Sequence, residues 1–282
     1  MSSYSSLKGI AMKQRILYPL FITIVCISPL LAQKPDVPDS VSAIKYNFVQ
    51  FGRETWSFIK QPGHWDGGEL LKIGVITGGS LLIAATADQP IRDAVLRDHR
   101  YDMSAPIVGG RIWGELYTPI ILFSGFALHS IITGDMKTRK IAYEVGQASL
   151  YAGAITYIMK VAIGRARPYT NNGNKTFYPF GKIALKTDYQ SFPGGHTTAG
   201  MVLSTVLARN TDSDWLKTLA YVPVAFTFVS RVYQDKHWTS DDFAGAGLGY
   251  FVATWVVDHH EVEQSRIHVS SIYPLTVSIR LD

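Results

Sequence analysis

Apolar and polar residues are grouped in long blocks along this chain instead of alternating one by one. Six apolar segments, at 69–87, 113–133, 139–163, 197–208, 215–232 and 241–258, are each long enough for a helix and lack the period-two pattern of a half-exposed strand. They predict a mainly α chain built as a six-helix bundle, with its domain over residues 70–260. Ahead of them, residues 33–69 are polar and rich in turn formers, as in Gln61-Pro62-Gly63-His64-Trp65-Asp66-Gly67-Gly68. That composition predicts a surface segment holding one short amphipathic helix within 41–60. The tail over 261–282 changes character again: from Ile267 to Arg280 it is β-branched and partly alternating, which predicts a short terminal strand or hairpin.

The first thirty-two residues follow a different logic. Lys13 and Arg15 precede an apolar run from Ile16 to Leu31, and the small Ala32 stands before Gln33. This is the order of a secretory signal peptide, with cleavage expected after Ala32. The run is also close to the ~17-residue lower limit for spanning a bilayer, so an uncleaved anchor helix is the alternative. Lys8, Lys13 and Arg15 carry three of the five net positive charges, which leaves no basic footprint for nucleic acid in the rest of the chain. The one cysteine, Cys26, excludes a disulfide framework and a cysteine-based zinc site.

Whether the bundle crosses a membrane is a separate question. Lys72, Glu144, Lys160 and Lys217 interrupt segments that would need ~20 mostly apolar residues to span. The basic loop Lys137-Thr138-Arg139-Lys140 suits a cytoplasmic face, yet export of residue 33 would place the end of the third segment inside. The conflict disappears if the whole bundle is exported and is soluble or lies against a membrane; an integral membrane protein is the alternative.

Three clusters stand where these helices should end. In Lys160-Val161-Ala162-Ile163-Gly164-Arg165-Ala166-Arg167-Pro168, Gly164 and Pro168 stop a helix and leave three cations near its C-terminus, where they either face an anion or complement the helix dipole. In Ser191-Phe192-Pro193-Gly194-Gly195-His196-Thr197-Thr198, two glycines open a helix, either as a tight turn or as a cradle of backbone N–H groups for an anion. In Ser230-Arg231-Val232-Tyr233-Gln234-Asp235-Lys236-His237-Trp238-Thr239-Ser240-Asp241-Asp242, the step from His237 to Asp241 allows a carboxylate to fix one imidazole tautomer, or Asp241 serves only the dipole of the next helix. Helices joined by short loops alternate in direction, so all three clusters should meet at one end of the bundle. Lys160, Arg167, Gly194, Gly195, His196, Arg231, His237 and Asp241 together describe a pocket for a tetrahedral dianion, with one imidazole to attack and another to move a proton.

The set Lys-x6-Arg-Pro, Pro-x-Gly-His and Ser-Arg-x5-His-x3-Asp resembles the signature of the type 2 phosphatidic acid phosphatase superfamily. That superfamily includes lipid phosphate phosphatases, bacterial acid phosphatases and vanadium haloperoxidases. The resemblance implies a phosphoric ester hydrolase of the bacterial cell envelope, exported to the periplasm, that acts without a metal on a lipid phosphate or small phosphate ester. It further implies that His237 attacks phosphorus, Asp241 orients it, and His196 protonates the leaving group and then activates water. Lys160, Arg167, Arg231 and the amides of Gly194 and Gly195 would hold the phosphoryl oxygens. No cofactor is implied; vanadate would be an inhibitor or, in a haloperoxidase, the cofactor. Such a peroxidase and a catalytically weakened envelope protein are the competing readings. One departure stands out: the family usually has Ser where this chain has Gly194, so a hydroxyl donor is missing. Glu144, Arg165, Asp235, Lys236 and Asp242 receive no role, and His64, His99, His129, His259, His260 and His268 are read as ordinary surface or core residues.

Overall fold

A computed structural model describes residues 46–279 apart from 98, 273 and 274; the expected signal segment over 1–32 lies outside the described residues. Ten α-helices occur among them. Helix α1 (Phe48–Lys60) starts where the Asn47 side chain accepts from the amides of Val49 and Gln50, and α2 (Gly67–Thr86) starts at a reciprocal cap between Asp66 and Glu69. They are followed by α3 (Asp88–Arg97), α4 (Ala105–Trp113), α5 (Tyr117–Thr133) and α6 (Met136–Ile163). A long loop then leads to α7 (Gly195–Arg209), α8 (Asp214–Leu219), α9 (Val222–Tyr233) and α10 (Thr239–Arg266). Strands β1 (Ile267–Ile272) and β2 (Leu275–Ile279) close the chain as an antiparallel hairpin with an irregularity between Val269 and Ser271.

The six apolar segments all appear as helices, in seven pieces. The second segment starts only after Gly114, because α4 ends there, and the fifth is divided at Ala220-Tyr221 before Pro223 restarts it as α9. Two helices have no counterpart among the predicted segments. Helix α3 opens on polar residues (Asp88, Gln89, Arg92, Asp93), and α4 is short with two glycines, so neither presents a sustained apolar run.

Helix α7 is the axis of the bundle and packs on α10, α6 and α9, while α4 lies on α9, α5 on α6, and α2 on α10. Leu122 and Phe126 of α5, Ile141 and Val145 of α6, Val202, Leu203 and Val206 of α7, and Val252 and Val256 of α10 form one buried core. The expected surface segment differs from its prediction: α1 lays Phe51 and Phe58 against this core, and Glu54 is fully buried. Among the described residues, α2 is long and apolar enough to cross a membrane, and the bent pair α4 and α5 passes the same test as one broken span. Leu70, Leu71, Val75, Leu81 and Leu82 of α2 and Ile120, Ile121, Leu128, Ile131 and Ile132 of α5 are exposed.

Two glycines place the helix ends that matter next. Gly164 takes φ of +61° to stop α6, with its amide bonded to the Lys160 carbonyl. Gly245 lets α10 cross the start of α7, since a Cβ there would lie 2.4 Å from the Gly194 carbonyl oxygen.

Candidate active site

The C-terminus of α6, the N-terminus of α7, the C-terminus of α9 and the N-terminus of α10 meet at one end of the bundle. The rings of His196 and His237 face each other there with centroids 6.5 Å apart. His237 follows the end of α9 in a tight connection whose amides return to the Arg231 carbonyl. Its side chain is buried, and Nδ1 has no hydrogen-bond partner among the described residues. Burial, and after it Arg167, Lys160, His196 and Arg231, hold this imidazole well below its ordinary pKa. It is therefore neutral near pH 7 and keeps a free lone pair.

His196 sits in the first turn of α7, half-buried, with Nε2 3.5 Å from Glu115 Oε1. Burial lowers its pKa, and Glu115 only partly restores it. Glu115 lies in the break between α4 and α5, far from the three motifs, and only an isolated acid at the head of an apolar segment could have pointed to it.

The cations are arranged differently from one another. Arg231 is buried; Nη2 donates to Gln234 Oε1 over 2.8 Å, while the buried Nε has no partner among the described residues. Arg167 reaches the carbonyls of Thr187 and Lys236 with Nε and Nη1, at 2.9 and 3.3 Å. Lys160 donates to the carbonyls of Gln190, Ser191 and Pro193, at 2.6, 3.4 and 2.7 Å. All three of its donors are thus engaged, so it supplies charge and holds the loop before α7. Burial, then the Arg167 guanidinium, pushes it down to about 7.

The backbone cradle also differs from the expected one. The Gly194 amide donates to the Asp241 carbonyl over 2.8 Å, which removes it from the set of anion donors. Gly194 is the N-cap of α7 and no side chain caps the helix, so the amides of Gly195 and His196 are the ones that open toward an anion.

Asp241 is fully buried, with Oδ2 3.9 Å from His237 Nδ1, beyond hydrogen-bond distance. Its oxygens accept instead from Arg165 Nη1 at 2.6 Å, Ser191 Oγ at 2.5 Å and the Trp238 amide at 3.0 Å. Arg165, which the sequence left without a role, is buried between two acids: Nη1 on Asp241 and Nη2 on Asp88 of α3, at 2.8 Å. Asp88 also accepts from the amide and hydroxyl of Ser240, at 2.9 and 2.6 Å. Helix α3 adds a second tie, since Arg92 holds Asp235 at 2.7 and 2.9 Å, just before His237.

Below the site runs a cavity of about 740 Å³ between α2, α6 and α10. Ile76, Leu81, Ile155, Met159, Leu248 and Val252 line it, and it reaches Pro193, Arg165 and Ser240.

The fold and this cluster define a helical domain that gathers cations, helix-start amides and two histidines at one end. Residues 143–263 match the family model of the PAP2 superfamily. It is 32% identical over 87 residues to a lipid A 1-phosphatase of Porphyromonas gingivalis, covering 29% of this chain and 20% of that protein. It is 31% identical over 142 residues to a probable lipid phosphate phosphatase 4 of Arabidopsis thaliana, covering 41% of this chain and 46% of that protein. The chain therefore spans less than half the length of these curated relatives. A solved transmembrane PAP2-type phosphatidylglycerolphosphate phosphatase from Bacillus subtilis is 17% identical, with a TM-score of 0.46 over 68% of this chain and 96% of that one.

Proposed function

We propose that this protein is a metal-independent phosphatase that hydrolyses a lipid phosphomonoester or diphosphate through a phosphohistidine on His237. The observation that carries the reading is the buried His237, its ring centroid 6.5 Å from that of His196, beside a buried Arg231 whose Nε has no partner among the described residues.

The ring nitrogen of His237 remote from Asp241 attacks phosphorus; the N–P bond forms as the P–O bond to the leaving group breaks. His196 gives that oxygen a proton. Phosphorylation makes the His237 ring cationic, and Asp241, 3.9 Å away, stabilises the charge as it forms. His196, now basic, takes a proton from water, the resulting hydroxide bonds to phosphorus, and the N–P bond breaks to release inorganic phosphate. Arg231, Arg167, the Lys160 charge and the amides of Gly195 and His196 hold the equatorial oxygens throughout, because phosphoryl transfer demands positioning and charge more than covalent help.

Two features favour a lipid: the apolar cavity that reaches Pro193, Arg165 and Ser240 next to the site, and the exposed apolar faces of α2 and α5. Both curated relatives are named as lipid phosphatases. We place the enzyme at a membrane of the bacterial cell envelope, exported by the N-terminal apolar run. Phosphate release from phosphatidate in mixed micelles is expected to persist in EDTA and to vanish in His237→Ala. A His237→Ala variant with wild-type turnover overturns the reading.

A further inference from the structure

Asp242 lies in the first turn of α10, next to Asp241, and is as deeply buried. Its Oδ1 accepts from Thr197 Oγ1 over 2.7 Å, while Oδ2 is buried without a partner among the described residues. A buried carboxyl oxygen without a partner is costly, and this one sits where α7 and α10 cross.

Its neighbour explains its place. A Cβ added at Gly194 would lie 2.1 Å from Asp242 Oδ1, 3.0 Å from its Cα and 3.1 Å from the Asp241 carbonyl oxygen. A side chain at residue 194 would collide with the Asp242 carboxyl and would also press on the α10 backbone. The Asp242 carboxyl thus occupies the space that the Cβ of a serine at 194 would need. Glycine here and aspartate there are two halves of one arrangement.

We propose that Asp242 supplies the anion with the side-chain hydrogen-bond donor that residue 194 cannot carry, its carboxyl acting in the protonated form. This rests on the anion site described above. A carboxylate there would repel a phosphoryl dianion, whereas a carboxylic acid donates. Burial, with help from Asp241, raises the Asp242 pKa well above its ordinary value, against the opposing pull of Thr197, Arg231 and Lys160. Since Oδ1 already accepts from Thr197, Oδ2 is the oxygen left to hold the proton.

The test uses the full chain in detergent and reads vanadate affinity by thermal shift, alongside phosphate release from phosphatidate. Asp242→Ala is expected to lose about 100-fold in vanadate affinity, the scale of one lost oxyanion donor. Gly194→Ser alone should lose affinity as well, because its side chain collides with Asp242. The double variant Gly194→Ser/Asp242→Ala is expected to return to within about tenfold of wild type, while Gly194→Ala/Asp242→Ala, which refills the space without a donor, stays low. Comparing these two doubles removes simple loss of packing, and their unfolding midpoints should agree. Equal affinity in the two doubles, or wild-type affinity in Asp242→Ala, overturns the proposal. Intact vanadate binding without phosphate release from any ester sinks the phosphatase reading alone, and a wild type that binds no vanadate overturns both.

Discussion

At the scale of single residues, the groups that could be read from the sequence are those whose spacing is tied to a helix end. Lys160, His196, Arg231, His237 and Asp241 come together because each lies within a turn of a terminus, and alternating helices bring those termini to one side. Arg165, Glu115 and Asp88 reach the same site only through tertiary packing, which no local pattern encodes. Arg165 is the clearest case: it neutralises two buried acids that would otherwise face each other across the base of the site. Arg165→Ala is expected to cost ~3–5 kcal/mol in denaturant unfolding, because it strands Asp88 and Asp241 as unpaired buried charges. A change below ~1 kcal/mol would show the pair to be solvated. Lys160 makes a different prediction, on activity. With its pKa near 7, the ammonium charge is present below that pH and lost as pH rises through it. Affinity for the phosphoryl dianion should fall on the alkaline side, and in Lys160→Met this limb of the kcat/KM profile should be absent from an already reduced rate. An unchanged limb would assign it to another group.

At the scale of elements, two helices secure the arrangement. Helix α3, invisible as an apolar run, ties the loops through Asp88 and Arg92, so the site depends on a segment chosen for its polar residues. Helix α1 is secured at a second buried cluster, where His260 of α10 bridges Glu54 of α1 at 3.1 Å and Glu144 of α6 at 3.2 Å. Glu54 also accepts from Gln147 and Tyr143, at 2.9 and 3.0 Å. Here the sequence misled, since a polar segment and a routine histidine gave no sign of burial; amphipathic period alone cannot say that a helix buries its acid. Burial opposes charge on both partners, yet the hydrogen bonds prevail, raising His260 to about 9 and lowering Glu54 to about 2. The stability from His260 is full below pH 6.5 and lost as pH rises through about 9; that from Glu54 is full above pH 4.5 and lost as pH falls toward 2. Both groups are charged in the folded chain between about pH 2 and 9, and their stabilisation is at its full value between about pH 4.5 and 6.5. Both shifts describe one interaction, so a single figure of ~3 kcal/mol applies. Unfolding stability should drop by about that amount between pH 6 and pH 9.5, and the drop should be absent in His260→Leu. An equal decline in that variant would remove the cluster from the account.

For the whole molecule, charge chemistry and apolar surface occupy adjoining regions of one bundle. The candidate site lies at the helix ends, and the apolar cavity between α2, α6 and α10 reaches Pro193, Arg165 and Ser240 beside it, next to the exposed apolar face of α2. A phosphate ester seated at His237 could thus keep its headgroup at the cations and its chain among Ile76, Met159 and Leu248. Each methylene buried there contributes ~0.8 kcal/mol, about fourfold in affinity, so a few carbons separate a lipid from a soluble ester. Filling the cavity tests this directly. Met159→Trp and Leu248→Trp should reduce kcat/KM for a long-chain lipid phosphate at least tenfold more than for p-nitrophenyl phosphate, because the soluble ester needs only the charged end. Equal losses on both substrates would mean that the cavity supports the bundle without receiving a chain, and the case for a lipid would then rest on the outer faces of α2 and α5 alone.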